Sequence, residues 1–326
     1  MIEKLKQALN GAQKIVLIGH KHPDGDAVGS TLALRKVLVN QGKDVAVVYP
    51  TIVPPYLMWL HGADEAYVYE NDEALTKEVL DSADFLVMLD HNAPSRVGDM
   101  EVVLPLCKSI AMIDHHPYPA FETELLFSDT SVSSACELLT RLLYDMQWDD
   151  YIDKDAATAL FVGIVTDTGR FNHNSSNPDT YRMVANLMEK GVEKDAVISR
   201  IYDDFSEDRM RLMGHLLSNN LEIFSEKGIA IMSLSMKDKE RYNYQIGDAE
   251  GWVNIPFGIK GISRCIFMQE HPDVVRISFR SKGDIAINEF AAEHFAGGGH
   301  RNAAGGSSFV SLDETLAKIK TLLGVR

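Results

Sequence analysis

Four short apolar runs separated by helix-forming stretches constrain this chain more than any other feature. "KIVLIG" (14 to 19), "DVAVVY" (44 to 49), "DFLVMLD" (84 to 90) and "SIAMID" (109 to 114) are too short for helices. They are also too continuously apolar for strands with one wet face, so each reads as a strand buried on both sides. Between the first two, "AVGSTLALRKVLVNQG" sets Val28, Leu32, Leu34, Val37 and Leu38 near helical spacing and ends on Gly42, a residue suited to a C-terminal cap. The order strand, helix, strand repeats, which predicts an α/β fold built on a doubly wound, mainly parallel sheet. Such sheets bind ligands beyond the carboxyl ends of their strands.

Acidic and histidine residues gather at those ends. "GHKHPDGDAVGS" (19 to 30) places His20, His22, Asp24 and Asp26 within seven positions, more carboxylates and imidazoles than a turn needs. The third run ends on Asp90 and His91, and the fourth on Asp114, His115 and His116. "DAATALFVGIVTDTGRF" (155 to 171) reads as a buried helix finishing near Asp167, although "LFVGIVT" alone is equally compatible with a strand. Taken singly, each carboxylate is ordinary, and Asp26 reads equally well as a structural helix N-cap. Taken together, four separate segments deliver Asp or His immediately after a buried run, which points to metal binding. Carboxylates can bridge two cations and neutral imidazoles fix geometry, a mixed N/O set that suits Mn²⁺ better than Ca²⁺. Two such ions about 3.5 to 4 Å apart bind a phosphoryl group and lower the pKa of a shared water, so no side-chain nucleophile is required.

The remaining composition narrows the partners. The chain has 326 residues, 45% of them hydrophobic, enough for two domains. A net charge of -15 argues against sequence-independent binding of long duplexes and leaves short anionic ligands open. "MIEKLKQALNG" has no secretory pattern and no apolar run approaches a membrane span, so a soluble, cytoplasmic protein with no membrane partner is expected. Cys107, Cys136 and Cys265 form no CxxC pair and are expected to be buried, reduced thiols.

A boundary follows the site. "RIYDDFSEDRMRLMGHLLSNN" (200 to 220) is polar and helical in period, and is expected to connect two domains rather than to pack inside either. The expected division is 1–195 for the metal-bearing domain, 196–214 for a helical linker and 215–326 for a smaller α+β domain. There, "EIFSEKGIAIMSLS" predicts a strand pair around "EKG", and "SRCIFMQEHPDVVRISFRS" two strands joined by "EHPD". In "INEFAAEHFAGGGHRNAAGG" (287 to 306) one glycine would serve as a helix cap. Three in a row, Gly297, Gly298 and Gly299, before His300 and Arg301 suggest backbone and cations brought close to phosphate.

"HPDGD" (22 to 26), "LDH" (89 to 91), "DHH" (114 to 116), "TDTGRF" (166 to 171) and "GGGHRNAAGG" (297 to 306), in this order, resemble the DHH phosphoesterases with a DHHA1 C-terminal domain. The resemblance covers essentially the whole chain and is nearest to the bacterial nanoRNase and pAp phosphatase branch. It implies one metal held by His20, Asp24 and Asp90 and a second held by Asp26, Asp90, His115 and Asp167, with Asp90 as the bridge. It implies two Mn²⁺ ions, with Mg²⁺ or Co²⁺ as substitutes. His116 would face the substrate phosphate, with Arg170 near it, and Asp114 would orient its neighbours. Arg280 and the Gly297 to Arg301 loop would be substrate contacts, with the oligonucleotide held between the domains. The implied substrates are short single-stranded RNA or DNA oligonucleotides, linear dinucleotides and pAp, and a homodimer stays open. A cyclic dinucleotide phosphodiesterase, a pyrophosphatase-like hydrolase and a non-catalytic nucleotide sensor are the alternatives.

Overall fold

The computed structural model describes residues 1–106, 109–120 and 123–326, and Cys107 lies outside them. The chain divides into two compact units, Met1–Asp203 and Asp204–Arg326.

The first unit runs α1 (Ile2–Gly11), β1 (Lys14–Ile18), α2 (Gly25–Asn40), β2 (Asp44–Tyr49), β3 (Tyr67–Val68), α3 (Glu73–Asp81), β4 (Phe85–Leu89), β5 (Ile110–Asp114), β6 (Leu125–Ser128), α4 (Ala135–Asp145), α5 (Lys154–Asp167), α6 (Pro178–Glu189) and α7 (Lys194–Tyr202). Its six strands are all parallel, in the order β3-β2-β1-β4-β5-β6. Alternate residues of each central strand enter different cores. Ile15, Leu17, Val87 and Leu89 pack with the helices of one face, whereas Val16, Ile18, Leu86 and Met88 pack on the other. Burial on both faces is why these runs are continuously apolar. The strand order reverses between β1 and β4, and a crevice opens at the carboxyl ends of two strands that diverge in this way.

Two helices bring later residues to that crevice. Position 155 to 167, left open between helix and strand by the sequence, is helical in α5. A Cβ at Gly29 of α2 would lie 2.4 Å from the Ala159 carbonyl oxygen, and one at Gly163 of α5 only 2.2 Å from Cys136 Sγ. Gly29 therefore lets α2 and α5 approach backbone to backbone, and Gly163 leaves room for the Cys136 and Asp26 side chains. The N-cap of α2 is Asp24, whose side chain accepts from the amides of Asp26 and Ala27. Asp26 stands in the first turn, so the N-cap role considered for it falls to its neighbour. Gly42, at φ +80°, closes the same helix just beyond its C-cap.

The second unit runs α8 (Glu207–Asn219), β7 (Leu221–Phe224), β8 (Ile229–Leu234), α9 (Met236–Arg241), β9 (Arg264–Glu270), β10 (Val275–Ser281), α10 (Ile287–His294), β11 (Gly298–His300), β12 (Ala303–Ser308) and α11 (Leu312–Leu323). Its sheet is ordered β11-β12-β10-β9-β8-β7 and is mixed, with β8 and β9 parallel and the other pairs antiparallel. The architecture is thus a doubly wound α/β unit followed by a smaller α+β unit. One expectation fails here. Leu212 and Leu216 of α8, one helical turn apart, are buried against Ala230, Met232 and Phe267, so this helix is part of the second unit's core rather than a bare connector. Cys136 and Cys265 are buried thiols. No described helix is long and apolar enough to cross a membrane.

Candidate metal centre

β1 delivers His20 to the switch point and β4 delivers Asp90 beside it. Asp90 adopts φ +60°, a conformation that side chains other than glycine, asparagine and aspartate rarely take. Its amide donates to the Ile113 carbonyl at 3.0 Å, which ties it to the end of β5. The carboxylate is only 2% exposed and stands among three imidazoles. Its Oδ2 is 3.4 Å from His20 Nε2, and its Oδ1 is 3.6 Å from both His115 Nε2 and His116 Nδ1.

Around this carboxylate the other groups fall into two sets. His20 Nε2 lies 3.7 Å from Asp24 Oδ1. His115 Nε2 lies 3.7 Å from Asp26 Oδ2 and 3.6 Å from Asp167 Oδ2. These spacings are too long for hydrogen bonds, and His20 Nε2 and Asp90 Oδ1 are buried without a hydrogen-bond partner. Donors bound at about 2.1 Å to a single ion stand about 3.0 to 3.4 Å apart, so a small contraction around a cation satisfies both orphaned atoms. Candidate ligand atoms of His20, Asp24 and Asp90 lie within 4.8 Å of one another, as do those of Asp26, Asp90 and His115. The donors present fit a divalent metal, and Asp90 is common to both groups.

Electrostatics say the same. Burial, and next the Asp90 charge, push Asp26 up to about 7. Asp167 is raised too, by its low-dielectric surroundings and by Asp26, Asp24 and Asp90, although a third of its side chain is exposed. Burial opposes charge on His20, yet Asp24 and Asp90 outweigh it and lift the imidazole to about 10. Asp90 is likewise held low against burial, chiefly by His20. The raised Asp26 and Asp167 carboxyls mark an excess of negative charge on one side of the pocket, which a divalent ion would offset.

The supports of the cluster come from positions the sequence did not single out. Asp26 Oδ2 and Oδ1 accept from the amides of Ala135 and Cys136 at 2.6 and 2.9 Å, at the N-terminus of α4. A helix N-terminus favours this carboxylate over water and fixes its direction. The signal was present as Ser134 followed three residues later by Glu137, a helix-start pattern; Ser134 caps α4 through Glu137 N. Asp114 takes two bonds from His116, Oδ1 from Nδ1 and Oδ2 from the backbone amide, each 2.8 Å. Burial opposes protonation of His116, but Asp114 and Asp90 raise its pKa, which makes the ring a hydrogen-bond donor. His91 points elsewhere: it is wholly buried, pairs with the Leu89 carbonyl through Nδ1, and burial lowers its pKa to about 4.

The other expected site residues fall in both units. Arg170 follows α5 in the first unit, with φ +61° and its guanidinium 3.9 Å from the centre of the Tyr202 ring. In the second unit Arg280 on β10 pairs with Ala303 on β12, which pairs in turn with His300 on β11. Directly opposed residues share a sheet face, so Arg280 and His300 flank a small alanine in one row. Arg301 donates to the Asp284 carbonyl at 2.8 Å. The glycine string has a structural use that sequence reasoning missed. A Cβ at Gly297 would meet the Gly305 oxygen at 2.1 Å, and Gly299, at φ +140°, would meet the Ala303 oxygen at 2.5 Å, so both are required by the β11–β12 hairpin. Gly298 alone has nothing within 4 Å.

Comparison with known proteins gives a consistent placement. The model of the DHH family, N-terminal domain, matches residues 14–164. The bifunctional oligoribonuclease and PAP phosphatase NrnA of Bacillus subtilis is 28% identical over 311 residues, 94% of this chain and 94% of that protein. The cyclic-di-AMP phosphodiesterase of the same organism is 26% identical over 97% of this chain but only 48% of its own length. Among solved structures, an exopolyphosphatase-related protein from Bacteroides fragilis is 35% identical, with a TM-score of 0.95 over 99% of this chain and 95% of that one. With Asp114 at the end of β5 and His115 and His116 just beyond it, on the strand next to the switch point between β1 and β4, this chain belongs to the DHH family.

Proposed function

We propose that this protein is a metal-dependent phosphohydrolase that degrades very short single-stranded oligonucleotides, including dinucleotides, to mononucleotides and dephosphorylates pAp. The observation that carries this reading is the cluster of His and Asp side chains centred on Asp90, with Asp167 beside His115. Similarity to the Bacillus subtilis oligoribonuclease and PAP phosphatase over nearly the full length of both chains supports the substrate class. His20, Asp24 and Asp90 would hold one ion and Asp26, Asp90, His115 and Asp167 a second, with Mn²⁺ preferred. Bound there, two divalent ions neutralise phosphoryl oxygens and lower the pKa of water. His116, fixed by Asp114, offers a hydrogen bond to the phosphate, and Arg170 adds a cation. Arg280, His300, Arg301 and the Gly298 backbone hold substrate away from the scissile bond. A cytoplasmic location is part of this proposal.

The test is mononucleotide release from a ladder of labelled RNAs from the dinucleotide upwards, with pAp and a cyclic dinucleotide as separate substrates. Preference for the dinucleotide and pAp is expected. Preference for the cyclic dinucleotide would instead assign the chain the activity named for the longer Bacillus subtilis phosphodiesterase.

A further inference from the structure

The loop after the Asp114 to His116 strand end carries an aromatic side chain that the account so far leaves without a role. Tyr118 is 86% exposed, the most exposed of the large hydrophobic and aromatic side chains among the described residues. Isolated exposed apolar groups are ordinary on a protein surface and need no explanation by themselves. Three further features set this one apart. Tyr118 adopts φ +60°, a left-handed conformation that is an outlier for a bulky residue and persists only where its surroundings enforce it.

Those surroundings are visible. Asn92, two residues beyond Asp90, grips the loop on both sides of the tyrosine: its Nδ2 donates to the Pro117 carbonyl and its own carbonyl accepts from the Ala120 amide, both at 2.7 Å. Pro117 and Pro119 stiffen the same three residues, since each fixes its own φ. The loop is thus a short rigid bracket rather than a loose excursion. Finally, Tyr118 is two residues from His116, so their Cα atoms are at most about 7 Å apart. That reach is comparable with the separation between a nucleotide's phosphate and its base.

A rigid bracket that holds an aromatic ring in solvent, at a backbone cost, beside the residue facing the phosphate has the properties of a stacking platform. Stacking suits an enzyme that must accept any base, because every base offers a π face. We propose that Tyr118 stacks on the nucleobase of a nucleotide flanking the scissile phosphate and contributes to affinity rather than to chemistry. Asn92 is the positioning residue that keeps the ring presented. The inference rests on the nucleotide-hydrolase reading above and specifies how that site selects a base-bearing substrate.

The experiment compares the full-length parent with Tyr118→Ala, Tyr118→Trp and Tyr118→Leu, all loaded with Mn²⁺. Substrates are a dinucleotide and two stable abasic analogues, each lacking one of its two bases. Tyr118→Ala should raise KM for the dinucleotide about five- to hundredfold with little change in kcat, the range set by one base stacked on one aromatic ring. Tyr118→Trp should restore affinity and Tyr118→Leu should not. One of the two abasic analogues should be indifferent to the substitution. As a readout independent of turnover, a dinucleotide carrying 2-aminopurine, titrated in Ca²⁺, should be quenched by the parent and by Tyr118→Trp but not by Tyr118→Ala. Unchanged KM and quenching in Tyr118→Ala would overturn the inference, as would full rescue by leucine or equal losses on the dinucleotide and both analogues. A parent that quenches the probe but hydrolyses none of these substrates would count against the hydrolase reading while leaving the stacking assignment standing.

Discussion

Replacing Asp90 by asparagine separates folding from metal chemistry. Asparagine tolerates the left-handed backbone that Asp90 adopts, and it keeps the shape of the side chain, so the loop after β4 should be retained. In the metal-free protein the substitution removes a charge that pushes up both Asp26 and Asp167, but also the charge that pairs with His20, so the two effects oppose and thermal stability should stay near that of the parent. Activity should behave in the opposite way. Asp90 belongs to both candidate ligand groups, so the substitution should weaken a donor in each. Removing even an outer partner of a metal ligand typically costs about 10- to 100-fold. A shared direct ligand should cost at least that at each position, and kcat on a dinucleotide should fall about 10²- to 10⁴-fold. Bound metal measured by elemental analysis after gel filtration should drop in parallel, and Mn²⁺ should no longer raise the melting temperature. Near-parental turnover with a full metal complement would refute the assignment of Asp90 as the bridge.

Three further outcomes are expected. In metal-free protein the raised pKa values of Asp26 and His20 mean that the folded state binds protons more tightly than the unfolded chain. Their stabilisation is therefore complete at low pH and is lost as pH rises through about 7 for Asp26 and about 10 for His20. Metal must displace those protons, so Mn²⁺ affinity should rise with pH through about 7, and titration calorimetry should show a binding heat that depends on the buffer's ionisation enthalpy; a buffer-independent heat would contradict this. Arg280→Ala should lower kcat/KM for a dinucleotide about ten- to a hundredfold, the worth of one charge-assisted hydrogen bond, while a small activated phosphodiester is hydrolysed at the parental rate; equal losses on both would place Arg280 at the chemical step. Gly163→Ala would set a Cβ 2.2 Å from Cys136 Sγ and 2.7 Å from Asp26 Oδ1, and should cost about 1 to 3 kcal/mol in stability with weakened metal binding; an unchanged melting temperature would show that the helices separate freely.

The legible parts of this chain were those set by burial. β1, β2, β4 and β5 lie under both layers of helices, so their sequences are unbroken apolar runs, and the Asp or His at or just after the ends of β1, β4 and β5 marks the rim. What stayed illegible depends on partners distant in sequence. β3 is two residues long and gives no periodic signal. The amide cradle of Asp26 comes from more than a hundred positions away. α8 hides its buried Leu212 and Leu216 among charged neighbours, so its polarity suggested a connector. The glycines at 297 and 299 suggested a ligand loop, but the same absence of side chains is what a tight hairpin requires, and composition cannot distinguish the two.

We propose that two metal ions share Asp90 at the switch point of the parallel sheet. Anomalous diffraction at the manganese edge from crystals grown with Mn²⁺ tests it most directly. The account predicts two anomalous peaks flanking the Asp90 carboxylate, one contacting His20 and Asp24, the other Asp26, His115 and Asp167. A single peak, or peaks that leave Asp90 uncoordinated, would contradict it.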